Sequence, residues 1–364
     1  MHNGYMKKKS PEIITKRSKI SFADPCYLIA EIGHNHQGDP QKAFEIIREA
    51  GKSGFNAVKF QKRDNKNLFT EEFFEKPYEG KNSFGKTYGA HREYLEPQKE
   101  WIIKANELAH SLGMDFIMTV FDVQSLQFCK KYLNVDIYKI QSADLTNHEL
   151  IEAVIKAKKP VILSCGASTF NEIDLSLNFV SRKTKKFCFL YAISSYPTET
   201  KDLNLSRLVQ LHKKFPDNLF GYSCHYKNNK AALLARSLGA CVIEKHFTLN
   251  KNERGPDHLL SSTPHEAKQL RQDLSEIDSM LGHKWSDPYK LEDYQKDARY
   301  KMGKSLYLKK DVDAGKVISI KDLELKSPQS GASPIEIKKL LSKKTAIAIS
   351  KGTALNFSHF RKKG

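Results

Sequence analysis

No apolar run in this chain approaches the roughly 18 to 20 residues that span a bilayer, although 40% of its 364 residues are hydrophobic. The opening stretch Met1–Lys9 is positive but has no apolar core behind it, so a secretory signal is not expected there. Cysteine pairs are missing as well. Cys26, Cys129, Cys165, Cys188, Cys224 and Cys241 show no CxxC spacing and mostly sit in apolar runs. That argues against a disulfide frame or zinc site and predicts reduced, buried thiols in a cytoplasmic protein. Acidic residues are in short supply: 60 Lys and Arg against 42 Asp and Glu leave a formal charge of +18. Such a balance suits nucleic acid, a membrane surface or acidic small substrates. Here the basic residues are dispersed, with short clusters at 7–9, 183–186 and 361–363 and no long basic helix. Neither a nucleic-acid nor a membrane partner is expected; solubilising charge that also serves anionic ligands is.

What is present is a regular alternation. Short apolar runs at Cys26–Gly33, Ala57–Gln61, Asp115–Phe121, Asp136–Gln141, Pro160–Gly166, Phe187–Ile193, Phe220–His225 and Cys241–Thr248 read as buried strands. Amphipathic stretches such as Gln41–Ser53, Gln98–Leu112, Val123–Tyr132 and Asn229–Leu238 lie between them. Eight such pairs in one domain-sized stretch predict an α/β fold, a closed (β/α)8 TIM barrel, rather than an open doubly wound sheet. The expected division is residues 1–20 as a tail and barrel-closing hairpin, 21–281 as the barrel, 282–299 as a polar linker, and 300–364 as a small β-rich domain. In the last unit Ser305–Leu308, Lys316–Ser319 and Ala346–Ile349 read as strands. A long insertion, Lys62–Pro97, follows the second barrel strand, where loops usually shape an active site.

Catalytic groups in this fold sit at the C-terminal ends of the strands. Those ends carry Glu31, Lys59, Gln61, Thr119, Lys139, Ser142, Ser164, Tyr196, Ser223, His225, Glu244 and His246. Charged and hydroxyl groups at a buried barrel mouth are costly unless paired or bound to a ligand. Two lysines among several hydroxyls suit a phosphate and a carboxylate; either lysine alone would equally suit a neighbouring acid. His225 and His246 end adjacent strands, and Glu244 shares a face with His246 because strand side chains alternate. Two imidazoles with open positions suit a divalent transition metal.

The runs AEIGHNHQGD (30–39), AVKFQ (57–61), YKIQSAD (138–144), SSYPT (194–198), GYSCH (221–225) and VIEKHFTLNKNERGPDH (242–258) resemble the sialic acid (nonulosonate) synthase family. The C-terminal unit resembles that family's antifreeze-like domain. The resemblance implies condensation of phosphoenolpyruvate with a mannose-type sugar, with release of phosphate and formation of a nine-carbon 2-keto acid. It implies His225 and His246 as ligands of manganese or magnesium, and Lys59, Thr119, Lys139, Ser142, Ser164 and Ser223 as phosphoenolpyruvate-binding positions. Glu31, Tyr196 and Asp257 fall near the sugar, with Glu31 the expected base and Glu244 beside it in the catalytic set. A homodimer with swapped C-terminal domains is also implied.

Departures from the family pattern bear on the acceptor. Cys224 stands where an aspartate is usual, which is expected to remove a charge beside the metal ligand. Ala192-Ile193-Ser194 replaces a Cys-Thr-Asn or Cys-Thr-Ser run, and Lys326-Ser327-Pro328 lacks an arginine that normally reaches the partner's sugar site. The segments Glu75–Tyr78 and Asn82–Arg92 resemble the animal-type branch, which uses a sugar 6-phosphate. On that reading Asn82, Lys86, His91 and Arg92 join the sugar site, and Lys62 is a further phosphate candidate. Alternatives are another barrel enzyme that condenses phosphoenolpyruvate with an aldose, or a noncatalytic sugar-binding homologue.

Overall fold

The computed structural model describes residues 10–282, 290–341 and 343–361. The basic start 1–9, part of the basic end at 362–363, and residues 283–289 of the expected linker lie outside these. The chain divides into two compact units, Met1–Lys284 and Trp285–Gly364.

In the first unit eight parallel strands close on themselves: β3 (Tyr27–Glu31), β4 (Ala57–Lys62), β5 (Asp115–Val120), β6 (Ile137–Ile140), β7 (Val161–Ser164), β8 (Phe187–Ala192), β9 (Leu219–Cys224) and β10 (Val242–His246), with β10 pairing both β9 and β3. A preceding antiparallel hairpin, β1 (Glu12–Ile14) and β2 (Lys19–Ser21), places Ile13 and Ile20 in one apolar cluster with Tyr27, Ile29, Ala57, Ile117, Ile137, Ile162, Leu190, Leu219 and Val242. These residues follow from period two. Along β3 the inward set is Tyr27, Ile29 and Glu31; along β5 it is Ile117 and Thr119; along β10 it is Val242, Glu244 and His246. Most strands therefore enter the barrel apolar and leave it polar; β8, which ends on Ala192, is an exception. The lower interior is a packed core and the upper interior a polar cavity.

The intervening residues face outward and pack on helices. In Pro40–Lys52 the buried Ala43, Ile46, Ile47 and Ala50 recur at helical spacing, Asp39 caps the start by accepting from the Gln41 N–H, and Pro40 occupies the first turn. Phe170–Lys183 and Pro264–Leu281 each begin with a capping box, Thr169 with Glu172 and Thr263 with Glu266. At Gly221 the close approach is inside the barrel: a Cβ there would meet the Val242 carbonyl oxygen at 2.2 Å. The insertion is not an irregular loop. It folds as short helices Asn65–Leu68, Glu71–Phe74 and Tyr88–Leu95, the last two capped by Thr70 and Thr87.

The second unit adds a helix and corrects one expectation. Residues 282–299 include part of a helix, Asp293–Met302, which buries no side chain and so carries no apolar stripe to reveal it. Its acidic start at Asp293 and basic end at Arg299 and Lys301 suit the helix dipole instead. The small sheet pairs β11 (Ser305–Leu308) with β12 (Leu323–Lys326), while Val317 and Ile349 make only isolated bridges, Val317 with Lys344 and Ile349 with Val312. Turns at Asp313-Ala314-Gly315 and Lys351-Gly352-Thr353 cut those two segments short of a ladder. Leu306, Leu308, Ile318, Leu323, Leu340, Leu355 and Phe360 form the core of this unit. Among the described residues no helix is long and apolar enough to cross a membrane, and all six cysteines are free and buried.

Candidate active site

The strand ends open on one cavity of about 490 Å3 lined by Glu31, Lys59, Thr119, Lys139, Ser142, Ser164, Tyr196, Ser223, His225, Glu244, His246 and Asp257, together with His91 and Arg92 from the insertion. At its floor lies a network of alternating charge. Lys59 Nζ stands 2.7 Å from Glu31 Oε2 and 3.6 Å from Glu244 Oε1, and donates to Thr119 Oγ1 at 3.2 Å. Lys139 Nζ donates to Glu244 Oε2 at 2.9 Å, and Ser223 Oγ donates to Glu244 Oε1 at 2.9 Å. Strand register sets these contacts: Glu31 lies beside Lys59, Thr119 beside Lys139, and Ser223 beside Glu244.

The two acids differ. Burial pushes the Glu31 carboxyl up against the pull of Lys59, and the Glu244 charge adds to the rise. Burial also opposes ionisation of Glu244, but Lys139 and Lys59 win and hold its carboxyl well below the usual range. Burial lowers Lys139 against the opposing Glu244, whereas in Lys59 the two carboxylates overcome burial and raise it. Both lysines thus pair with acids, the simpler of the two sequence readings, and they do so on the wall of the cavity.

One wall carries backbone donors. Ser142 Oγ accepts from the Gly166 N–H at 3.0 Å. A Cβ on Gly166 would come within 2.8 Å of that hydroxyl and 2.7 Å of Ser194 Oγ, so any larger residue would have to displace one of these side chains. Ala167, next in the chain and also lining the cavity, is held at φ 50°, a conformation uncommon outside glycine.

The histidine pair adjoins this wall. The His225 and His246 ring centroids are 5.5 Å apart, with the Tyr196 ring 4.2 Å from His225 and tilted by 34° to it. His225 Nδ1 donates to the Ile193 carbonyl at 2.7 Å, which leaves the Nε2 lone pair free. Burial holds its pKa near 4, and burial with the neighbouring His225 holds His246 well below the ordinary value. His246 Nδ1 is buried without a hydrogen-bond partner, 3.9 Å from Asp257 Oδ2. Two neutral imidazoles, one with an orphaned nitrogen, are what a divalent cation requires of its nitrogen ligands. Among the described residues no group of three or more His, Cys, Asp or Glu side chains is placed to hold one, so the pair offers a two-ligand site. The loop after β10 is held by Gln37 Nε2, which donates to the Arg254 carbonyl at 2.7 Å, and by Asn35 Nδ2, which donates to the Phe247 carbonyl at 2.9 Å. Asp257, delivered by that loop, is raised to about 6 by burial and then by Glu31.

Some expected residues are not there. Lys86 is exposed and absent from the cavity lining. Asn82 is absent from the lining too and accepts from the Gly255 N–H at 3.3 Å, bracing the loop that carries Asp257. Lys62 faces away and pairs with Glu96 at 2.7 Å. The residue missed in its place is Arg63, which lines the cavity with His34 and Tyr78. Period two was the available signal, since Lys59, Gln61 and Arg63 share one face. Cys224 points out of the barrel rather than toward the histidines. Its Sγ lies 3.8 Å from Nζ of the fully buried Lys245, which donates to the Tyr226 carbonyl.

The NeuB family profile matches residues 46–286, and a SAF domain profile matches 303–361. The chain is 33% identical to N-acetylneuraminate-9-phosphate synthase of Mus musculus over 89% of this chain and 90% of that protein. It is 34% identical to N,N'-diacetyllegionaminic acid synthase of Legionella pneumophila over 92% and 94%. The crystal structure of an N-acetylneuraminic acid synthetase from Leptospira borgpetersenii superposes with a TM-score of 0.69 at 31% identity, covering 79% of this chain and 95% of that one. Barrel, mouth chemistry and terminal domain agree with these matches, and the chain belongs to the NeuB family of sialic acid and related nonulosonate synthases.

Proposed function

We propose that this protein is a nonulosonate synthase, which condenses phosphoenolpyruvate with a mannose-type aldose to a nine-carbon 2-keto acid and releases phosphate, and that its acceptor carries a 6-phosphate. The observation that carries the reading is the buried Glu31–Lys59–Glu244–Lys139 network opening on the cavity that also holds the histidine pair. The 9-phosphate in the names of the mouse and human relatives supports the phosphorylated acceptor.

In this mechanism Lys59 and Lys139, with Thr119, Ser142, Ser164 and Ser223, bind the phosphate and carboxylate of phosphoenolpyruvate. They orient its C3 toward the aldehyde carbon, the form of catalysis in which positioning lowers the barrier. His225 and His246 would hold a divalent cation, manganese or magnesium, whose chemistry when bound is Lewis-acid polarisation of the acceptor's carbonyl oxygen. As the new C–C bond forms, C2 becomes electron-poor and adds water. Glu31, kept basic by its buried position, takes the proton of that water. The tetrahedral C2 then expels phosphate and becomes the ketone. Tyr196 and Asp257 flank the sugar's path.

A homodimer with swapped C-terminal domains and a cytoplasmic location complete the proposal. The second unit supports the first with exposed Ile320, Leu325 and Ile335, apolar surface that assembly would cover; the free cysteines support the second. The test is phosphate release from phosphoenolpyruvate with a panel of mannose-type sugars and their 6-phosphates. Turnover with none of them would remove the synthase reading, and turnover with free sugars alone would remove the phosphorylated acceptor.

A further inference from the structure

The floor of the cavity is balanced in charge, two lysines against two glutamates, but one end is not. There Arg63 and Arg92 converge on a single acceptor, His34 Nε2, at 3.3 and 3.5 Å. Arg63 is only 7% exposed, lies 3.6 Å over the Phe121 ring, and donates through Nη2 to Gln61 Oε1. Arg92 is tethered through Nε and Nη2 to the Tyr88 hydroxyl at 2.9 and 2.7 Å. Among the described residues neither guanidinium makes an ion pair with a carboxylate. Glu96, the acid beside them, is occupied by Lys62 Nζ at 2.7 Å and the Arg63 N–H at 2.9 Å.

Two like charges sharing one neutral acceptor at the edge of a low-dielectric cavity repel each other, and the carboxylates that act on them, Glu96, Glu31 and Asp257, do so without a direct ion pair. A phosphate monoester, carrying about two negative charges near neutral pH, would neutralise both. Arginine's fixed fork also suits phosphate oxygens better than a point charge does. We infer that Arg63, with Arg92 opposite it, binds the phosphate of the acceptor sugar and is the residue by which the enzyme prefers a phosphorylated over a free hexose. This rests on the phosphorylated-acceptor reading above and replaces Lys62 and Lys86 as its agents. Burial followed by the Arg92 charge lowers the Arg63 pKa to about 10, high enough to keep the guanidinium charged at neutral pH. Gln61 Nε2 also donates to Glu31 Oε1, so the same arginine is linked to the proposed base through one intervening side chain.

The quantity to measure is the ratio of kcat/KM for N-acetylmannosamine 6-phosphate to that for N-acetylmannosamine, in wild type, Arg63→Gln, Arg63→Lys and Arg92→Gln. Using the ratio cancels any general damage passed through Gln61 to Glu31. Loss of a charge-assisted contact predicts a ratio lower by about 10- to 100-fold in Arg63→Gln, with partial recovery in Arg63→Lys. If Arg63→Gln does not fold, the same fall in Arg92→Gln carries the test, because that side chain is held by the Tyr88 hydroxyl and a long contact to His34. A wild type that prefers the phosphate, with ratios unchanged in the variants, overturns this inference and leaves the acceptor reading standing. A wild type with no preference overturns both.

Discussion

Replacing Glu244 by glutamine removes one negative charge and almost no volume. The carboxylate now accepts from Lys139 at 2.9 Å and from Ser223 at 2.9 Å, and lies 3.6 Å from Lys59. Lys59 keeps Glu31 at 2.7 Å, but Lys139 has Glu244 as its sole carboxylate neighbour within ion-pair distance among the described residues. With both lysine side chains at most 5% exposed, breaking the pair should cost about 3–5 kcal/mol. At roughly 2–4 °C per kcal/mol for domains of a couple of hundred residues, the melting temperature should fall by roughly 6–20 °C. Two further outcomes separate lost charge from lost packing. Burial already lowers the Lys139 pKa; without Glu244 the folded amine gives up its proton still more readily than the unfolded one. The unfolded state then binds more protons, so the variant should regain stability as pH rises. Millimolar phosphoenolpyruvate should also restore more stability to the variant than to wild type, because its anionic groups supply the missing counter-charge; at about a hundred times Kd such binding contributes about 2.7 kcal/mol. Thermal melts in phosphate-free buffer, with and without phosphoenolpyruvate, measure all three. A variant that melts with wild type would falsify the view that Glu244 neutralises Lys139.

Alanine at His225 or His246 should abolish manganese retention, read by elemental analysis after chelation and repletion, and should take turnover down with it. Normal metal content in either variant would remove the histidine pair as the metal site. Deleting residues 285–364 should leave a folded barrel with poor activity and no dimer, checked by light scattering and phosphate release; a fully active monomer would end the swapped-domain proposal. His36 is fully buried against Trp101 and Phe60, and burial holds its pKa near 4. Its folded pKa lies below the unfolded value, so stability present above about pH 6.5 should be lost as pH falls toward 4, by about 3 kcal/mol. His36→Gln should flatten that part of the pH–stability curve, and an unchanged slope would assign the acid sensitivity elsewhere.

The barrel was legible because each of its signals is local. Strands such as Val161–Ser164 and Val242–His246 are short, wholly buried runs between helices, and their alternation already separates Glu244 and His246 from Lys245. The chemistry at the strand ends was legible for the same reason. Less could be read where the decisive neighbour lies far along the chain. Lys62 and Arg63 are adjacent and both cationic, yet Glu96 takes the first while Phe121, Gln61 and His34 position the second. Lys86 and Arg92 belong to one insertion, and only its folding into the helix Tyr88–Leu95 turns Arg92 inward and leaves Lys86 in solvent. The sequence order puts Cys224 beside the expected metal ligand His225, which follows it; the pleat sends it to the opposite face, beside Lys245. Alternation along a strand depends on the backbone alone and can be counted from the residues. Which charges meet across the cavity depends on barrel closure and strand register, which bring together groups up to 185 positions apart, such as Glu31 beside Lys59 and Lys59 beside Glu244. Only the tertiary structure decides that, because those pairings form between segments that share no local signal.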